Sequence, residues 1–108
     1  MDSSLRFTAE YPYEARARVV KEIAYTVHTF KEGGTYVAYV PELDVSSCGA
    51  TRDDATRNIR DAVQGFLESS AAIGSLEWIL EEAGYRRNGS GWDPPEYVGV
   101  DRLTASVA

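Results

Sequence analysis

Residues 36–67 read YVAYVPELDVSSCGATRDDATRNIRDAVQGFL, and the fold follows from how this stretch divides. Its second half is an amphipathic helix. Thr51 is a suitable N-cap, and Asp53 and Asp54 place negative charge in the first turn, where the helix dipole favours it. Asp54, three residues after the cap, completes a short capping box. Ala55, Ile59, Ala62, Val63, Phe66 and Leu67 then recur at helical spacing as one apolar stripe. The opposite face carries Asp53, Arg57, Arg60, Asp61, Gln64 and Glu68, with Asp53–Arg57 and Arg57–Asp61 spaced for i, i+4 ion pairs. An apolar stripe of this length must pack on something, and the first half of the stretch supplies it. Residues 35–40 are a β-branched and aromatic strand, closed by Pro41 and a loop through Ala50.

Upstream, residues 23–30 form a second such run, separated from the first by Lys31-Glu32-Gly33-Gly34, a turn signal. Pairing Phe30 with Thr35 puts Ile23, Tyr25, Val27, Tyr36, Ala38 and Val40 on one face of the hairpin, toward the helix. The other face then carries Ala24, Thr26, His28, Phe30, Val37 and Tyr39, too apolar for a fully solvated surface. It is either covered by another part of the chain or open to a dimer or protein partner. A register slip by one residue would exchange the two faces.

Further out, residues 5–11 alternate apolar and polar like a half-buried strand ending at Pro12, and residues 14–22 fit strand or helix. After the main helix, Gly74 is a C-cap signal and Ser75 opens a short helix over 76–83, with Leu76, Ile79, Leu80 and Ala83 as its stripe and Trp78 at the margin. Residues 84–96, with Asn88-Gly89-Ser90-Gly91 and Pro94-Pro95, read as a loop. Residues 97–108 place Val98, Val100, Leu103, Ala105 and Val107 at strand-like positions. The expected architecture is α+β: an antiparallel sheet of three to four strands, one main helix on one face, a second short helix and a C-terminal strand. It is a single domain over 1–108, with an extension at 1–22 and a core at about 23–83.

The ordered set Tyr36, Ala38, Pro41, Leu43, Gly49, Thr51, Asp54 and Ala55 resembles the HicB-like antitoxin family. There a Tyr-x-Ala-x-x-Pro-x-Leu strand end precedes a short loop, a Gly-x-Thr and an acidic-start helix. The resemblance covers residues 25–67. It implies a degenerate ribonuclease H-like fold and a non-enzymatic antitoxin that binds and silences a small basic mRNA-cleaving toxin of the HicA type. The residues expected at that contact are Glu42 and Asp44, with Glu32 the more remote member. Thr26, His28, Phe30, Val37 and Tyr39 are the expected dimer or partner surface, and a dimeric scaffold or ligand-binding module without a toxin is the alternative. Family members that repress their own operon carry a further DNA-binding module, for which this chain shows no recognition-helix pair.

Composition narrows the chemistry. The chain has 11 basic and 17 acidic side chains, a net charge of −6, which opposes sequence-independent nucleic-acid binding. Hydrophobic content of 44% and charged content of 26% are globular. No apolar run is long enough for a membrane span, and the N-terminus has no signal-peptide pattern, so a cytoplasmic protein is expected. The lone cysteine, Cys48, excludes an internal disulfide. The lone histidine, His28, excludes a His–His metal pair, and no catalytic residue, metal or cofactor is expected. The strands offer no carboxylate for a ribonuclease H metal cluster, and Asp53 and Asp54 have a sufficient role at the helix start. Arg86, Arg87 and Trp92 around the glycine loop offer cations and an aromatic that an RNA could contact, but read first as a turn with solvated arginines.

Overall fold

A computed structural model describes residues 22–108. The strand expected over 5–11 and the ambiguous stretch 14–21 lie outside the described residues. The main helix, α1 (Arg52–Ala72), starts where its cap predicts: the Thr51 side chain accepts the N–H of Asp54 at 3.0 Å. Asp54 does not close the capping box; its carboxylate pairs with Arg57 one turn on. That i, i+3 pair replaces the expected pairs of Arg57 with Asp53 and Asp61. The buried residues of α1 include Ala55, Ile59 and Val63, with Phe66 and Leu67 partly buried beside them, so the apolar stripe faces the core as read.

Under α1 lies a three-stranded antiparallel sheet in the order β1 (His28–Glu32), β2 (Thr35–Val40), β3 (Val45–Gly49). Ala38 and Val40 are buried against the helix, together with Leu43 from the connecting turn. The β1–β2 register pairs Glu32 with Thr35 and Phe30 with Val37, two residues from the expected pairing. The turn is therefore the two residues Gly33-Gly34, with Gly33 at φ 59°, the left-handed conformation that tight hairpin turns need. A slip of two keeps each side chain on its face, so the assignment of faces holds.

The strand expected over 23–30 pairs only from His28 onward. In this register Thr26 would stand opposite Pro41, where β2 has ended and the chain turns away. Side chains take over: the Glu42 carboxylate accepts the Thr26 N–H, and the Tyr85 hydroxyl donates to the Ala24 carbonyl at 2.6 Å.

β3 lies within the stretch read as a loop. Val-Ser-Ser-Cys-Gly is poor in strand formers, and pairing with β2 along its whole length supplies what propensity does not. Gly49 ends β3 against the start of α1. A Cβ there would stand 2.5 Å from the Ala55 backbone nitrogen and 2.6 Å from the Asp54 Cβ, so only glycine permits this approach.

Gly74, at φ 81°, follows α1, and α2 (Leu76–Glu82) packs Leu76 and Leu80 into the same core. Residues 84–96 are not a plain loop. They contain β4 (Arg86–Asn88) and β5 (Gly91–Asp93), a small hairpin around Gly89-Ser90. Three-residue strands are too short to show alternation; buried Tyr85 and Trp92 tie the hairpin to the core. The C-terminal β-structure is this hairpin, and the strand expected over 97–108 is not formed. No helix among the described residues is long and apolar enough to cross a membrane.

Candidate functional site

Strand alternation leaves the side of the sheet away from α1 with two cross-strand rows. Phe30, Val37 and Cys48 form one; His28, Tyr39 and Ser46 form the other. Phe30 is 45% exposed and Cys48 is an exposed free thiol, while His28, Val37 and Tyr39 are half-buried. Thr26 continues this side beyond the paired region. The five residues expected as a partner surface therefore do lie together, and β3 adds Ser46 and Cys48, which sequence reading left in a loop. Cross-strand neighbours are legible only when the strand itself is, and nothing in Val45–Gly49 announces one.

Tyr97 crosses part of this face. Its ring lies against His28, with centroids 6.4 Å apart and planes inclined at 51°. Burial raises its phenol pKa, and the neighbouring Glu42 carboxylate raises it further. Tyr97 reaches the face because the chain leaving β5 passes the Gly84 turn, where Pro95 packs 3.5 Å from the position of a Gly84 Cβ. Sequence reading placed Tyr97 in a strand and gave it no role.

The three acidic residues separate by role. Glu42 accepts the Thr26 N–H through both oxygens, each at 3.1 Å, and is half-buried. It is a structural acceptor more than a free surface charge. Asp44 is exposed and accepts the Tyr39 hydroxyl at 3.0 Å. That bond leads the causes that raise the Tyr39 pKa, followed by burial and the Asp44 charge. Asp44 sits at φ 56°, a conformation that Asp and Asn tolerate better than most residues. Glu32 is exposed at the Gly33-Gly34 end of the sheet, remote from the other two. The structure thus brings Glu42 and Asp44 to one end and leaves Glu32 at the other, as the sequence geometry requires.

Elsewhere the chemistry is sparse. No group of three or more His, Cys, Asp or Glu suited to a metal occurs among the described residues. Arg87 is engaged: it stacks on Trp92 at 4.6 Å from the ring centroid and pairs with Glu77 at 2.9 Å. That leaves Arg86 without its neighbour as a phosphate contact. A cleft of about 490 Å³ between residues 22–25 and α1 is lined by Ile23, Tyr25, Val63, Leu67 and Leu76 among others. Glu22, Gln64 and Glu68 line it as well, and the Gln64 amide is engaged in donating to the Glu68 carboxylate at 2.7 Å.

Comparisons with protein-family models, with curated proteins and with solved structures find no match to this chain.

Proposed function

We propose that this chain is a HicB-like antitoxin module that binds and inhibits a small basic mRNA-cleaving toxin of the HicA type. The observation that carries the reading is the half-apolar sheet face of Phe30, Val37, Tyr39 and His28, bordered by the exposed carboxylate of Asp44. Such a face offers a protein partner apolar area, while the carboxylate offers it an anion. An mRNA-cleaving toxin presents cations to phosphate, and a carboxylate set against them both masks the site and speeds encounter. The ordered motif supports the fold of such a module through its structural roles. Ala38 and Ala55 are buried, Leu43 fills the turn, Gly49 allows close approach and Thr51 caps α1.

The engagement of Glu42 with Thr26 alters which charges to test. Asp44 is the first candidate for the contact and Glu32 the second, because reversing Glu42 would disturb the fold. The experiment pairs the chain with a small basic protein encoded beside it and follows cleavage of mRNA. Stoichiometric inhibition and a stable complex are expected, with Asp44→Asn slowing association at low salt and flattening its salt dependence. Asn keeps the left-handed backbone and an acceptor for Tyr39, so only the charge changes. Cleavage unaffected by the chain would overturn the antitoxin reading.

A second reading, a dimeric scaffold with no toxin, is favoured by the apolar side chains left exposed on residues 98–107.

A further inference from the structure

The segment after Tyr97 is the most apolar exposed part of the described chain. Val98 is 94% exposed, Val100 83%, Leu103 87% and Val107 94%. Apolar side chains scattered singly over a surface are ordinary; four within ten residues are a patch that seeks cover. Val98 and Val100 share one side of an extended chain, and Leu103, Ala105 and Val107 resume the alternation one residue out of step after Asp101-Arg102. That pattern suits a strand with a bulge.

We propose that this tail, residues 98–107, docks on the sheet face of a second copy of the chain, beside that copy's own Tyr97, so that two chains exchange tails about a twofold axis. The face already accepts the residue before the tail in cis, where Tyr97 lies against His28. Beyond Tyr97 the large apolar side chains of the tail are almost fully exposed. At roughly 3.3 Å per residue, ten further residues reach roughly 33 Å, whereas a five-residue strand is only about 17 Å long. The reach covers a neighbour's sheet.

Charge decides the occupant. Each copy carries −6, so surfaces without excess negative charge offer two copies the least repulsive meeting place. Within residues 98–107 Asp101 offsets Arg102, and the receiving rows of Phe30, Val37, Cys48, Tyr39 and Ser46 hold no formal charge, with His28 their one basic group. A neutral apolar tail does not complement a basic toxin; it does complement this face. Exchange is isologous: each chain donates one tail and receives one, which closes the assembly at two. The mode deepens the dimeric reading, and because it covers the face of Phe30, Val37 and Tyr39, a second copy's tail and a toxin would compete for that face.

The test uses the full chain and two variants. Light scattering at micromolar concentration should give twice the 11.9 kDa chain mass for the wild type. Changing Val98, Val100, Leu103 and Val107 together to Ser should give a monomer with an unchanged circular dichroism spectrum, because these side chains are almost fully exposed. Phe30→Asp should also give a monomer. Mixing the two variants should give a heterodimer weaker than the wild type, since one of its two tail contacts, the tail of the Phe30 variant on the intact face of the tail variant, is kept. Cys48, in the Phe30 row, should react with a maleimide several-fold more slowly in the wild type than in the tail variant. A wild-type monomer would overturn the dimer and the exchange together. A tail variant that stays dimeric would overturn tail exchange while leaving the dimer itself standing. Equal Cys48 reactivity would also count against a tail lying over this face.

Discussion

The Glu42 carboxylate receives the backbone N–H of Thr26 through both of its oxygens, at 3.1 Å each. It stands where a sheet ladder would supply a carbonyl had β2 continued past Pro41. One side chain therefore anchors the entry to β1 and fixes the turn leading to β3. Glu42→Ala leaves a partly buried N–H without its acceptor, at a cost of about 1–2 kcal/mol. Glu42→Gln, which keeps an acceptor without the charge, should cost less than the Ala change. Urea denaturation of both variants measures the difference, and the Thr26 amide should exchange faster with solvent in the Ala variant. Equal stability of wild type and Glu42→Ala would show that the contact contributes nothing.

Gly49→Ala should destabilise the chain by about 1–3 kcal/mol, the range for overpacking a close contact. The added Cβ would stand 2.5 Å from the Ala55 nitrogen, whose N–H makes an early backbone bond of α1 to the Thr51 carbonyl at 3.0 Å. Backbone cannot swing aside like a flexible side chain, so β3 and α1 must separate. Thermal unfolding checks this, with Gly65→Ala as the control, because a Cβ at that position meets nothing within 4 Å. The control should be neutral or slightly stabilising.

Thr51→Ala removes the acceptor for the Asp54 N–H and should cost about 1 kcal/mol, while Thr51→Ser should cost much less. A chemical-denaturation series on the three chains resolves the order. If the Ala and Ser variants are equally stable, the cap has no energetic role.

Tyr85→Phe deletes the hydroxyl that donates to the Ala24 carbonyl and should cost about 1 kcal/mol, a fall in Tm of about 4–8 °C. The same contact sets an alkaline limit. Burial first, then the Glu42 charge and then Tyr97, push the Tyr85 phenol well above its usual value of 10.0. A folded-state pKa raised above the unfolded one gives stability that is complete below about pH 10 and declines as the pH rises toward the folded pKa. The stability gap between wild type and Tyr85→Phe should therefore be constant from about pH 7 to 9 and narrow above about pH 10. A gap that widened there would mean that the phenolate, not the phenol, is favoured in the fold.

Much of the architecture was legible in the residues alone. The period of Ala55, Ile59, Val63 and Phe66 oriented α1, and Thr51 marked its start, because both signals act within a few residues of chain. The faces of β1 and β2 were equally readable, since side-chain alternation survives the two-residue register shift. Glu32 could be separated from Glu42 and Asp44 because a hairpin has two ends whatever its exact pairing.

Tertiary structure decided the rest. Val45–Gly49 became a strand because β2 stood beside it with an unfilled edge, not through any preference of Ser46, Ser47 or Cys48. Arg86–Asp93 became a hairpin because buried Tyr85 and Trp92 hold it to the core. Residues 97–108, by contrast, have the strand alternation but pair with no strand among the described residues. Glu42 looked like a surface charge until the end of β2 at Val40 left the Thr26 N–H in need of an acceptor. Short-range patterns write local conformation, but a hydrogen bond across the sheet belongs to whichever groups the packed fold brings within reach.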